Sequence, residues 1–475
     1  MGWRSWLFGV RCEMRNKEEL YTKLEKIAKV VYLVHLIFAF NALINETIIL
    51  DITMVLSLLW AGIVLVFRIR NFKEYIKRKD FWILSAFIIS FMLTSIFNIE
   101  YGIVKNIKCL VWMGVQIIVL YFGNPKRDIE SVRKEFELLS KVLIGLSVVT
   151  NSISLAMFFL QYEKLINVNG NYFLIGFYWN RLFGIYNEPN QGALFAVITI
   201  LMIMYLASKK RKVWHGLVLF VQISFILLSD SRTGALCLAV ALGIYIAIRI
   251  MRSKKTRHVI LAGMVGVLVA GGIYGMRHPL QQMYVKGYNV IYSCLEERFG
   301  ETSDDLSQDD ETSNQITIER EELVKDPSNR RFDIWKSCVE LFSHSPVLGF
   351  GRNYVDYAEN ELPDTYIVNN DQDDFDSAHN IIVELLVQQG LVGVAIFSCF
   401  LIYYLSKLFQ YYKYIRPENQ EFSCICFCII CAIIVASMLM PTVIYLNSPE
   451  SYFMWLCLGY LLQVLVNDNS CRIEG

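Results

Sequence analysis

Three short stretches of the chain put an ionisable side chain at the start of an apolar run. They are Arg181-Leu182-Phe183-Gly184-Ile185-Tyr186-Asn187-Glu188-Pro189-Asn190, then Asp230-Ser231-Arg232-Thr233-Gly234, then Asp376-Ser377-Ala378-His379-Asn380-Ile381-Ile382-Val383-Glu384. Each reads as the beginning of a helix. Asn187 suits an N-cap with Pro189 in the first turn, and Ser231 and Ser377 suit the caps of the other two. A cap at Ser377 starts its helix near Ala378 and puts His379 in the first turn. Unpaired N–H groups and the positive helix end favour a neutral imidazole there, which can accept a proton. An arginine beside a helix N-terminus is electrostatically misplaced unless an anion joins it, and guanidinium with helix N–H groups is well suited to phosphate. Taken singly, each residue has a plainer reading. Arg232 pairs with Asp230 or snorkels to water, Arg181 is a loop residue, and His379 is a cap or interface residue.

The elements that must position these residues are membrane helices. Of 475 residues, 55% are hydrophobic, and the mean hydropathy is +0.40. That composition, with long uncharged runs, excludes an ordinary soluble domain and predicts an all-α polytopic membrane protein. About twelve apolar stretches approach the ~20 residues needed to span hydrocarbon. They are 28–44, 47–67, 81–98, 103–122, 137–160, 190–207, 213–229, 233–250, 258–275, 380–406, 423–441 and 450–467. The fourth is the weakest because Lys105 and Lys108 lie in its first half, and Gly390 and Gly393 predict a break in the tenth. Residues 1–27 are polar and basic without a small-residue cleavage pattern, so insertion through the first membrane helix is expected.

Basic residues set the orientation. They gather in the N-terminal segment and in every second connection: Arg68 to Lys79, Lys126 to Lys134, Lys209 to Lys212, Arg252 to Arg257, and Arg416. The positive-inside rule therefore places both termini in the cytoplasm. The three helix starts then face one outer surface. The expected organisation is a cytoplasmic segment 1–27, membrane helices over 28–275, a large outer loop 276–379, three more helices over 380–467, and a cytoplasmic tail 468–475. The net charge of +1 carries no information, because charge is sorted by side.

The outer loop is acidic. Glu301–Glu311 reads as a solvated run. Asp371–Asp376 has calcium-loop character but lacks the glycine and distal glutamate of an EF-hand. Residues 331–342 carry Phe332, Ile334, Trp335, Cys338, Val339, Leu341 and Phe342 at helical spacing, followed by the turn Ser345 to Gly351. This predicts an amphipathic helix and glycine turn folding over the membrane domain. Among 12 cysteines, Cys424, Cys426, Cys428 and Cys431 lack a His or acidic companion and read as small apolar residues of a membrane helix. Cys294 and Cys338 are the two in the outer loop, and a disulfide between them is open.

Four blocks in order now stand out: R-L-F-G-I-Y-N-E-P-N, S-R-T-G-A, N-R-R-F-D-I-W-K with P-V-L-G-F-G, and A-H-N-I-I-V-E-L-L-V-Q-Q-G-L-V-G. Over roughly 180–400 the chain resembles the O-antigen ligase and O-antigen and capsular polysaccharide polymerase family. The resemblance implies a GT-C-like membrane glycosyltransferase, inverting, metal-independent and without a cofactor. Its donor would be an undecaprenyl-pyrophosphate-linked glycan and its acceptor another glycan, met at the outer face of the cytoplasmic membrane. The family's arginines fall on Arg181, Arg232 and Arg331, the last because Trp335 follows four residues on, and its histidine falls on His379. The doubled Arg330-Arg331 and the acidic run at 301–311 depart from the pattern.

The residue types fit that chemistry. Arginines stabilise a departing pyrophosphate without a metal, and His379 is the candidate base for the attacking hydroxyl. Asn187, Glu188, Asn190, Asp376 and Asn380 are candidate acceptor-binding or structural residues, and Glu384 reads mainly as helix packing. Tyr178, Trp179 and Tyr186 suit sugar stacking or an interfacial belt equally. The leading expectation is a polymerase of lipid-linked repeat units for a capsule, exopolysaccharide or O-antigen, with membrane lipid around it, a chain-length regulator or flippase as partner, and no nucleic acid. The nearest alternative is a ligase passing the glycan to another acceptor. A flippase is the alternative of another class, and it predicts midplane charges, of which the sequence shows few, and repeated halves, which it does not show.

Overall fold

The computed structural model describes residues 3–168, 171–251, 257–299, 330–370, 377–441 and 443–473. Its helices are α1 (Trp3–Ala39), α2 (Ile48–Arg70), α3 (Lys79–Phe97), α4 (Val104–Val115, widening to a π turn at Gln116–Tyr121), α5 (Ile129–Phe159), α6 (Pro189–Lys209), α7 (Val213–Leu228) and α8 (Arg232–Met251). They continue as α9 (Arg257–Gly275), α10 (Arg277–Phe299), α11 (Arg331–His344), α12 (Tyr354–Glu361), α13 (Ile381–Tyr411), α14 (Pro417–Ser437) and α15 (Pro449–Ile473). All twelve apolar stretches read from the sequence fall in helices. Among the described residues, nine spans are helical, long and apolar enough to cross a membrane. The stretches in α1, α7 and α15 are the other three; α7 has 16 residues. The outer side of α2 exposes Ile48, Ile52, Val55 and Leu59, a surface stable against lipid and not against water. The acidic run 301–311, the calcium candidate 371–376 and Asp376 lie outside the described residues.

The all-α expectation needs correction. Between α5 and α6 the chain forms an antiparallel sheet in the order β1 (Glu163–Val168), β2 (Asn171–Tyr178), β3 (Arg181–Gly184). Asn169-Gly170, between β1 and β2, is a strong sequence signal for a hairpin. The second hairpin has a weak signal. Trp179 and Asn180 both adopt positive φ, 48° and 56°, which gives the twist of a tight two-residue turn without glycine. This sheet folds onto the end of α5: the Ser154 hydroxyl accepts from Ile185 N at 3.2 Å. The strand path also reaches α1, since Ala42 N donates to Ile185 O at 2.8 Å.

The break expected in the tenth apolar stretch is present in α13. Gly390 has φ 58° and ψ −161°, which interrupts the helical hydrogen bonds. The turn 345–351 fills the gap. Leu391 N donates to Pro346 O at 2.8 Å, Val392 N to Val347 O at 3.2 Å, and Phe350 N to Val387 O at 2.9 Å. Thr94 of α3 holds the same turn through Leu348 O at 2.6 Å. Irregular backbone inside an apolar bundle is tolerated only when its polar groups are met in this way.

The segment between α10 and α13 has a small core of its own, built from Ile334, Cys338, Leu341, Phe350, Tyr354, Ala358, Ile367, Ala378 and Val387. Cys338 is a free buried thiol there, so the Cys294–Cys338 disulfide is not formed. Cys424, Cys426 and Cys428 are free thiols buried in α14, in keeping with their reading as small apolar residues. Towards the opposite end, Lys29 of α1 contacts Glu25 at 2.8 Å and Glu135 of α5 at 2.7 Å. Arg127 joins Glu135 at 2.6 Å, and Arg68 of α2 joins Glu25 at 3.2 Å. Glu25, Lys29 and Glu135 are completely buried. The residues read as a separate N-terminal segment include the first turns of α1.

Candidate active site

Arg181 begins β3, and its side chain is buried. Its Nε donates to Ser229 O at 3.0 Å, and its terminal nitrogen donates to Asn190 Oδ1 at 3.1 Å. It thus ties the sheet to the C-terminus of α7 and to the first turn of α6. The Asn190 amide also donates to the Glu188 carboxylate. Glu188, not Asn187, caps α6: its side chain accepts from Asn190 N at 3.3 Å, and Pro189 occupies the first turn as expected. Asn187 turns the other way and donates to Ala39 O at 3.1 Å. A carboxylate at this cap suits the positive helix end.

Ser231 caps α8 as expected, its hydroxyl accepting from Gly234 N at 3.0 Å. Arg232 follows at the first helical position. The adjacent Asp230, at φ 48°, accepts from Gln281 Nε2 at 2.9 Å and lies 3.5 Å from Arg277, both on α10. Arg331 opens α11. Burial and the charge of Arg232 both push its pKa below the ordinary arginine value, and Glu188 acts in the opposite sense. Arg331 is therefore within electrostatic reach of both Arg232 and Glu188, which other elements bring.

The residue before His379 is tied to α11, the helix that Arg331 opens. Trp335, one turn beyond Arg331 on the same helix face, donates from its indole nitrogen to Ala378 O at 2.9 Å. The expected cap is displaced. Helix α13 starts at Ile381, and the Asn380 side-chain Oδ1 accepts from Ile382 N at 2.9 Å and Val383 N at 3.3 Å. His379 accordingly lies just outside the first turn, at φ 50°. Asparagine is a strong capping residue and takes both N–H groups, so Ser377, completely buried, is not needed. Glu384 fixes this chain reversal. It accepts from Ala378 N at 2.6 Å and from the Tyr354 hydroxyl at 3.2 Å, with the Gln388 amide as a further donor. Its packing role is thus specific: it holds the residue before His379.

Of the aromatic candidates, Tyr186 is buried, with its hydroxyl donating to Asn151 at 2.6 Å, and is not available to a sugar. Trp179 is 70% exposed at the tip of the hairpin. Trp335 as a link to His379 went unread in the sequence, although its four-residue spacing from Arg331 was legible. So did a second basic group, Lys105, Lys108 and Arg352, whose signal was two lysines interrupting an apolar stretch.

Residues 217–398 match the family model described as O-antigen ligase. Over that stretch the chain is similar to the O-antigen ligase family. The matched stretch contains Arg232, Arg331, His379 and Glu384, whereas Arg181, Glu188 and Asn190 precede it. Over 298 residues, 61% of the chain, the sequence is 24% identical to a general O-oligosaccharyltransferase of Acinetobacter baylyi. The aligned stretch spans 46% of that protein. An uncharacterized protein of Haemophilus influenzae is 28% identical over 96 residues, which cover 20% of the chain and 23% of the relative. The matched stretch thus runs from α7 into α13 and includes the segment between α10 and α13 and the glycine break.

Proposed function

We propose that the protein is a membrane glycosyltransferase that moves a glycan from a lipid pyrophosphate, of the undecaprenyl kind, onto a sugar hydroxyl. The hydrogen-bonded set Arg181, Asn190 and Glu188 at the start of α6, with Arg331 under the influence of both Glu188 and Arg232, carries this reading. Two guanidinium groups that disfavour each other are held together at a helix-rich site, and a dianionic pyrophosphate relieves the repulsion. In the reaction the acceptor oxygen attacks the anomeric carbon from the face opposite the pyrophosphate. The bond between that carbon and the phosphate oxygen breaks, and its electron pair leaves with the pyrophosphate. Arg181, Arg232 and Arg331 stabilise that leaving charge. His379 takes the hydroxyl proton, and Glu384 and Asn380 keep it in place. The step is inverting and draws its charge stabilisation from arginines. The distribution of lysine and arginine supports placing this end of the bundle outside the cytoplasmic membrane, with both termini inside.

The acceptor separates two versions of this reaction. The family description and the Acinetobacter relative favour transfer to a distinct acceptor, the ligase version. In the polymerase version, expected from the sequence, the acceptor is a second lipid-linked repeat unit of a capsule, exopolysaccharide or O-antigen. Purified protein given lipid-linked glycan with a labelled candidate acceptor distinguishes them. Label joined to a single glycan supports the ligase, and a ladder of repeats without added acceptor supports the polymerase. Absence of any glycan transfer together with movement of lipid-linked glycan across liposomes overturns both.

A further inference from the structure

A cavity of about 460 Å³ opens at the same end of the bundle, built from elements that the arginine cluster does not use. One wall is the face of α4 that carries Lys105, Lys108, Trp112 and Gln116; the opposite wall is Arg352 with Asp356 and Glu359 of α12. The loop 444–447 between α14 and α15 closes it, contributing Asn447. A separate small recess lined by Arg352, Ile381, Glu384 and Tyr445 shares Arg352 and Tyr445 with it and reaches the first turn of α13. The cavity therefore approaches the His379 turn from α4, α12 and the α14–α15 loop, whereas the arginines approach it from β3, α8 and α11.

The lining is selective in chemistry. Lys105 is neutralised by Asp356, with both carboxylate oxygens at 2.8 Å. Lys108, one turn further into α4, has no carboxylate partner among the described residues. Gln116 is held at the base by Ser451 at 2.8 Å, and Trp112 is fixed by stacking on Tyr32 at 5.4 Å. Asn447 is anchored by the Tyr32 hydroxyl at 2.5 Å. A rigid indole, fixed amides and carboxylates suit a ring rich in hydroxyl groups. The ammonium of Lys108 adds a preference for an anion on that ring, and the volume lies within the range of small-molecule sites.

We infer that this cavity is the acceptor-side sugar subsite, and that it takes a sugar bearing an acidic group, a carboxylate or a phosphate ester. The assignment to the acceptor rests on the glycosyl-transfer reading; the binding of an acidic sugar does not. The test uses the full-length protein in detergent, with saturation-transfer NMR titration of three probes: a hexuronate-containing disaccharide, its carboxyl-reduced neutral counterpart, and a hexose phosphate, with inorganic phosphate as control. One or both acidic sugars are expected to bind about tenfold more tightly than the neutral one. Lys108→Gln is expected to remove that preference, and Lys108→Arg to restore it, both with unchanged elution and thermal unfolding. Whichever acid binds identifies the source of the anion. Equal binding of neutral and acidic sugars, inorganic phosphate binding as tightly as either sugar, or an acidic preference untouched in Lys108→Gln overturns the subsite. In the transfer assay, Lys108→Gln is expected to raise the acceptor KM with kcat and donor KM unchanged. Binding that holds without any transfer activity sinks the functional reading and leaves the subsite standing.

Discussion

Arg331 sits where burial and Arg232 both work against its charge, with Glu188 opposing them. A charge disfavoured in this way is stabilised further by a bound anion, which is the behaviour of a group that stabilises a departing pyrophosphate. Replacing Arg331 by Gln is expected to lower kcat by about 10²–10³-fold with a small change in folding, as for loss of one stabilising donor. Single-turnover rates of parent and variant measure it. A fall of less than threefold in a well-folded Arg331→Gln protein, with a large fall in Arg330→Gln, would transfer the role to the neighbouring arginine. His379 has a different signature. A base must be neutral to act, so the rate falls as pH drops through its pKa. The acidic limb of the pH–rate profile is expected to vanish in His379→Ala along with most activity; a residual rate that keeps that limb means another group titrates.

At the scale of elements, the glycine break in α13 and the turn 345–351 form one unit. A Cβ on Gly390 would lie 2.4 Å from the Val347 carbonyl, and one on Gly349 would lie 2.5 Å from Val387 O. Both are backbone contacts, and both glycines have φ in the left-handed region, +58° and +69°. Gly390→Ala is therefore expected to expel the turn, free the polar groups that it satisfies, and loosen α11 and the His379 turn together. Proteolysis within 330–370 that is faster in Gly390→Ala than in parent protein checks this, and unchanged protection refutes it. The motifs P-V-L-G-F-G and Q-Q-G-L-V-G were legible as turn and break. Their pairing across 40 residues was not, because a hydrogen bond between distant backbone groups leaves no periodic trace in the sequence. The same limit hid the cap at Asn380. Ser377, Asn380 and their spacing all allow a cap, and the choice follows from Glu384 and Trp335 gripping Ala378.

For the whole molecule, the ion cluster Glu25–Lys29–Glu135–Arg127–Arg68 joins α1, α2 and α5, and the Tyr460 hydroxyl of α15 also donates to Glu135. Glu135 is the hub, and its removal leaves Lys29 and Arg127 buried with less countercharge. Glu135→Gln is expected to cost about 3–5 kcal/mol, as for a broken buried pair. Chemical unfolding in detergent micelles measures this; a loss below about 1 kcal/mol would mean that water reaches the cluster. By itself the sequence determined the membrane class, the helix segments, the break at Gly390 and the residue types of the candidate site. Apolar length, basic loops, glycine and arginine each act locally and so are written locally. Only the tertiary structure decided that Glu188 caps α6 and acts on Arg331, that Trp335 holds the residue before His379, that β1, β2 and β3 form a sheet, and that Lys105, Lys108 and Arg352 share a cavity. Those outcomes depend on which distant elements pack together, and that is set by burial summed over the whole bundle rather than by any one stretch of chain.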